Sequence, residues 1–386
     1  MGVEFQLGSG DHTVVEDFLT RQPAGVSAIT LHAKAARHQQ GAAEAAQAAG
    51  LGVYFNPATE RLVVSGYDMS EAPYFGGAPY DPGELAADAA ARARLIDAVI
   101  AGHPKFTTAV TPPHFYVDAV TTASLNVVLA ADARNSTDRP VRAVLVVGRP
   151  FALRHAEDLA AQYVQAGIER LELRLSPFGG EDQSLNVLRS GLAILDAFKA
   201  AGISTTLGGS GNIGEVAVAL GHTANYSVGV GMLEHVNHAA AISSQQQPAR
   251  FDANGKRLRG GGGNPVYLPG IAQTLSPKRA AVLLGHSDIR LRVGCRLEGC
   301  GTSIEGPMKD PRRHYLHARA SEMQALLAQP PQWRVSSEFM RLRRALELRE
   351  QINEKYLGAK DHRLKTRTLY SIVDLIEGQG EIRNTA

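Results

Sequence analysis

Cysteine is nearly absent: the 386 residues hold two, Cys295 and Cys300. Two neighbouring thiols make no disulfide framework, so the fold must rest on a packed core, and a reducing compartment is expected. The opening stretch, residues 1–18, has no basic segment followed by an apolar one, so no secretory leader is expected. No apolar run approaches ~18 residues, which argues against a membrane span and for a soluble, cytoplasmic protein. Charge of one sign is not in excess: 40 Lys and Arg face 38 Asp and Glu. That balance neither favours nor disfavours nucleic acid, because only the distribution of charge decides it. Repeats of 20–50 residues are lacking, which excludes a solenoid. A Gly-x-Gly-x-x-Gly turn after the first strand-like run is lacking too, which disfavours a dinucleotide fold.

What the chain does have is alternation. Hydrophobic content of 44% is enough for a sizeable core. Short β-branched runs predict strands at 26–31, 52–55, 106–110, 141–147, 170–175, 203–207, 226–230 and 265–268. Alanine-rich runs between them, such as 32–49, 84–101 and 184–201, predict helices. Parallel α/β architecture follows. Eight strands fit a (β/α)8 TIM-type barrel better than the rival, an open doubly wound sheet. The barrel is expected over 1–290, with insertions at 57–80 and 231–264. Residues 291–386 then form a Cys/His segment and a basic, helical C-terminal appendage.

Barrel sites lie on the loops after the strands. Residues 203–234 carry two glycine-rich turns there. Gly208, Gly209, Ser210, Gly211 and Asn212 precede a helix, and Asn212 with Glu215 predicts a capping box. Free amides at a helix start favour a phosphate or carboxylate; equally, the glycines can serve a tight turn alone. Gly229 and Gly231 would let a ligand approach the backbone. Glu234 and His235 would stand at the mouth as nucleophile or general base, and as acid or base; Glu234 could instead serve a helix start. Arg257 and Arg259 sit beside four glycines, as a lid over an anionic substrate or as a plain surface loop. Glu172 and Arg174 lie in a strand expected to be buried on both faces, where charge is costly unless paired or used. They share a face at i and i+2. His32, Lys34, Asn56, His114 and Arg149 are further strand-end candidates.

Cys295 and Cys300, with His314 and His317 following, loosely match a Cys2His2 zinc spacing. Histidines at i and i+3 share a helix face. A structural zinc is one reading; buried free thiols or a redox-sensitive loop are the others.

The Gly229-Val230-Gly231-Met232 turn, the cysteine segment and the Tyr315-Leu316-His317 helix together resemble the tRNA-guanine transglycosylase superfamily, which includes enzymes inserting 7-deazaguanines into DNA. The resemblance covers roughly residues 200–355. It implies a (β/α)8 barrel with a structural zinc, an aspartate nucleophile that breaks an N-glycosidic bond, and a nucleobase and tRNA or DNA as partners. The chain departs from the pattern in three places. It has two cysteines where the family has three. The nucleophile segment reads Tyr226-Ser227-Val228-Gly229-Val230, without aspartate. The Asp-Ser-Gly-Gly-Phe-Gln motif is missing. The glycine turns also look like those of barrels that hold flavin mononucleotide. Basic residues gathered after Arg334 suit a phosphate backbone, or a helix surface laced with salt bridges to interleaved glutamates. Three expectations follow: a transglycosylase-like enzyme with structural zinc, a barrel enzyme on a small phosphorylated ligand or flavin, or a non-catalytic nucleic-acid-binding barrel.

Overall fold

The computed structural model describes residues 1–67, 69–70, 72–248, 264–297, 300, 305–357 and 363–385. Its strands are β1 (Gly2–Gln6), β2 (Val26–His32), β3 (Gly52–Asn56), β4 (Ala143–Gly148), β5 (Arg170–Ser176), β6 (Phe178–Gly179), β7 (Ser204–Gly208), β8 (Asn225–Gly229), β9 (His235–Val236), β10 (Val266–Leu268) and β11 (Gln273–Leu275). Seven of them form one curled parallel sheet in the order β3-β2-β1-β8-β7-β5-β4. The helices are α1 (His12–Leu19), α2 (Gln40–Ala48), α3 (Pro82–Ala87), α4 (Ala89–Gly102), α5 (Val120–Asn135), α6 (Arg149–Gln165), α7 (Leu185–Ala200), α8 (Gly211–Ala219), α9 (His238–Gln246), α10 (Pro277–Gly285), α11 (Ser287–Val293), α12 (Glu305–Lys309), α13 (Pro311–Ala328), α14 (Pro331–Lys355) and α15 (Arg367–Thr385).

The α/β class and the parallel sheet agree with the sequence pattern, but the eight-stranded closed barrel does not form. The stretch 106–117 lies between the two edge strands without laddering to either. Thr108 donates to the Val53 carbonyl, and single bridges join Val110 to Val141 and Val117 to Val147. Pro104, Pro112 and Pro113 remove donors in and beside this stretch, which limits regular pairing. The run at 265–268 does not join the seven-stranded sheet either. Pro269-Gly270 turns it back on itself, and β10 pairs only with β11. The strand of the large sheet that sequence reading missed is β1, in the sheet interior between β2 and β8.

Alternation explains β1. Val3 and Phe5 face outward into the core with the helices, while Glu4 and Gln6 face inward. The same division runs through β5, where Leu171, Leu173 and Leu175 are apolar and buried, and Glu172 and Arg174 point to the polar interior. Each outward Leu, Ile or Val contributes about 1.5–3 kcal/mol by burial.

The C-terminal helices complete the outer layer. Helix α13 packs on β1 and α1, α14 against α8, and α15 against α7. Tyr315, Leu316 and Met323 join the core around β1–β3, and Leu342, Leu346, Leu369 and Ile372 join that around β4–β7. Helix α8 explains why they are needed: its nine residues are buried all round. Among the described residues, no helix is long and apolar enough to cross a membrane.

Candidate functional site

Curling brings the inward residues of the sheet together. Glu172 is their hub: its Oε1 accepts from Gln6 Nε2 at 2.6 Å, Arg174 Nε at 2.8 Å and Ser227 Oγ at 3.0 Å, and its Oε2 from Arg142 Nη1 at 3.1 Å. Arg142 also donates to Glu4 at 2.5 Å and lies over the Tyr54 ring. Thr206 donates to Glu4 at 2.7 Å. Burial pushes Glu172 up, but the two guanidiniums and these hydrogen bonds outweigh it and hold it down at about 2. Glu4, by contrast, is pushed up, by burial first. Gly208 makes room for this arrangement, because a Cβ there would stand 2.6 Å from the Arg174 side chain and 2.8 Å from the Glu172 carboxylate.

Above the hub, at the carboxyl ends of the strands, opens a cavity of about 250 Å3. This is the end where α/β proteins place their sites. Its floor is Gln6, Thr30, Val146 and Arg174; His32, Asn56, Glu60, Arg61 and Tyr67 form one wall, and Leu233 and residues 235–238 the other. Arg174 is 9% exposed, yet its Nη2 has no hydrogen-bond partner among the described residues; nor has the Thr30 hydroxyl. His32 accepts the Lys34 amide on Nδ1, which leaves Nε2 as the nitrogen carrying the proton. Burial lowers His32, His235 and His238, favouring neutral rings at pH 7. His238 stacks on Tyr116 at 4.2 Å between centroids. Glu60 is the one carboxylate among the lining residues and pairs with His114 at 3.2 Å. Burial raises it, but His114 and Arg174 outweigh that and hold it at about 2. Lys34 and Arg61 lie against the Tyr67 ring at 4.2 and 4.8 Å.

The sequence-predicted residues divide. Because β7 and β8 are parallel neighbours, the turns at 208–212 and 229–231 do share this rim. The amides of Gly209 and Ser210, however, both donate to the Ser227 carbonyl, at 2.8 and 3.3 Å. Val236 and Glu234 lie where side chains at Gly209 and Gly211 would point. The turn is covered by its own chain, and only Gly209 reaches the cavity. The capping box does not form: α8 starts after Ser210, Asn212 donates to the Ala272 carbonyl and accepts from Arg319, and Glu215 pairs with Arg341. The bare side of Gly229 is filled by Met232 and Leu233, and Gly231 serves a positive φ of 79°. His235 lines the cavity, but the Glu234 carboxylate turns away from it. It takes the Tyr315 hydroxyl at 2.7 Å, Thr274 at 3.0 Å and the Arg319 guanidinium. Burial raises Glu234, and Arg319 and Tyr315 more than offset it, leaving it lowered. Glu172 lies beneath Arg174 as its support. Arg257 and Arg259 fall outside the described residues. Gln6, Thr30, Glu60, Arg61, Tyr67 and His238 were not foreseen; the alternation Val3-Glu4-Phe5-Gln6 was the signal available for the first of them.

The Glu234–Arg319 contact belongs to a second buried cluster. Arg319, fully buried over the Tyr267 ring at 4.0 Å, faces Glu215, Glu234 and Glu322, and Arg341 faces Glu215, Glu322 and Glu338. Burial, with neighbouring carboxylates, pushes Glu215 well up.

At the N-terminal end of α13 the Cys/His cluster assembles. One ligand atom each from Cys295, Cys300, His314 and His317 lies within 4.8 Å of the others, and the group could hold a metal ion. Cys300 Sγ is 3.1 Å from His314 Nδ1, and Cys295 Sγ is 3.7 Å from His317 Nε2. His314 Nε2 sits 2.5 Å from the Tyr267 carbonyl, a contact that leaves Nδ1 free to coordinate. The thiols form a proton-sharing pair: Cys300 holds Cys295 down at about 2 and is itself pushed up. The chain matches no protein-family model, and no curated protein matches it in sequence.

Proposed function

We propose that the chain is a transglycosylase-like enzyme that binds a nucleobase in the mouth of the curled sheet and carries a structural zinc at Cys295, Cys300, His314 and His317. The observation that carries this reading is the mouth cavity, small and lined by amides, imidazoles, the Glu60 carboxylate and a guanidinium with one nitrogen left without a partner. Its volume lies just below the range of drug-sized pockets, which suits a single ring system better than a flavin mononucleotide. Glu60 takes the role that an aspartate has in the resembled family. Its carboxylate would attack the anomeric carbon as the C–N bond breaks, and the base would leave with the bonding pair and take a proton. The incoming base would then displace Glu60 through a ring nitrogen, giving up that nitrogen's proton to solvent in exchange for the one the departing base took. Cys2His2 donors suit zinc, and a fully protein-ligated tetrahedral site is structural rather than catalytic. Its place, between β10 and α13, is that of a clamp.

Incorporation of labelled guanine or a 7-deazaguanine into tRNA or DNA tests the reading. Exchange should fall by at least about 100-fold in Glu60→Gln. Absence of exchange with any of these nucleic acids would remove it. The open guanidinium of Arg174, with Lys34 and Arg61 nearby, favours a second reading, an enzyme acting on a small phosphorylated molecule.

A further inference from the structure

We infer that the floor of the mouth is an oxyanion subsite: Arg174 and Thr30, with His32 beside them, receive a carboxylate or phosphate group of the ligand. The inference rests on the mouth being a ligand site and adds the chemical class of what enters it.

The argument begins with hydrogen-bond accounting. A guanidinium carries five donors in a fixed fork. Arg174 uses Nε on Glu172, which fixes the plane of the fork, and Nη2 is left buried without a partner beside the cavity. Leaving a charged donor unmet is costly, so such groups in folded proteins call for an explanation. Thr30 is a second donor with the same problem, and it shares the cavity. The His32 ring, with its proton on Nε2, lines the same cavity. Glu60, the one lining carboxylate, pairs with His114 and also feels the Arg174 charge, but no hydrogen bond among the described residues joins it to these donors. Donors lining one small cavity match the acceptor oxygens of an oxyanion, and the guanidinium matches its charge and planarity. A neutral ring would meet the shape but offer these donors fewer acceptor oxygens.

Calorimetric titration of the full chain with three probes tests this. Inorganic phosphate and nicotinate are the two anions; nicotinamide is the neutral twin of the second. At least one anion should bind, nicotinamide at least tenfold more weakly than nicotinate if nicotinate is the one. Arg174→Lys keeps the charge and loses the fork, and should weaken the bound anion about tenfold or more. Thr30→Val is close to isosteric and should weaken it severalfold. Binding of phosphate alone assigns a phosphate-bearing ligand, and of nicotinate alone a carboxylate. The inference is overturned if neither anion binds the native chain, if nicotinamide binds as tightly as nicotinate, or if both variants bind as the native chain does. Should Arg174→Lys fail to fold, Thr30→Val decides by itself. Anion binding without base exchange would remove the transglycosylase reading alone; exchange without anion binding would remove this one alone.

Discussion

Two buried charge clusters, one inside the sheet and one under α13, use the same residue types to opposite ends. Inside the sheet, Glu4 and Glu172 face Arg142 and Arg174, two against two, and one guanidinium nitrogen is left at a cavity. Under α13, Glu215, Glu234, Glu322 and Glu338 face Arg319 and Arg341, four against two, with the Tyr315 and Tyr267 hydroxyls donating to Glu234 and Glu322. Acceptors are in surplus there, and the guanidiniums are spent joining segments far apart in sequence. The first cluster presents a donor to the cavity; the second fastens α13 and α14 to α8 and to the loop after β8. Charge in a protein interior is costly in both places, and the difference is where the left-over donor lies: Arg174 Nη2 stands at a cavity, whereas Arg319 Nε, also without a partner, is fully enclosed.

The contrast can be broken most forcefully at Arg319. Arg319→Leu leaves several carboxylates buried without their cation, and should cost about 3–5 kcal/mol in urea unfolding. Arg174→Lys, in the ligand-facing cluster, should cost clearly less; equal losses would erase the distinction. Acid sharpens the inner cluster. Glu172 is held at about 2, below its ordinary 4.5, so its contribution is fully present above about pH 4.5 and is lost as pH falls towards 2. A shift of that size corresponds to about 3 kcal/mol. Glu60 titrates over the same window, so Glu172→Gln should flatten only part of the stability slope there, measured by unfolding at a series of pH values. The Cys/His cluster comes next. Metal analysis should find one zinc per chain, and chelation or Cys295→Ser should lower stability by about 3 kcal/mol if zinc is held at a hundredfold its dissociation constant; unchanged unfolding after chelation would detach the cluster from the fold. The smallest effect is at Thr30. Replacing an unmet buried hydroxyl by a methyl should leave stability unchanged or raise it by up to ~1 kcal/mol while weakening the anion. A large loss would mean that the hydroxyl serves the fold.

Sequence patterns revealed this fold where burial is uniform and hid it where the interior is polar. The run at 141–147 reads as a strand because apolar side chains cover both its faces. Glu4 and Gln6 gave the interior strand β1 a half-exposed look, since the polar inner face of a curled sheet mimics solvent in the pattern. At 106–110 and 265–268 the β-branched runs were real, but neighbouring prolines and the turn at Pro269-Gly270 kept them out of the sheet. The Cys/His spacing was legible because its ligands are clustered in sequence, and Glu172 with Arg174 because i and i+2 share a face. Glu234 was misplaced because its partner Arg319 is 85 residues away, and no local pattern reports such a contact. Most of the mouth escaped notice for the same reason: its walls come from loops after β2, β3 and β8, joined only when the sheet curls.

The most direct measurement is a crystal structure of the chain soaked with phosphate or nicotinate. The account predicts density for the anion within about 3 Å of Arg174 Nη2, on the floor formed with Thr30. An anion lodged instead on the amides of the 208–212 turn, with Arg174 untouched, would contradict it.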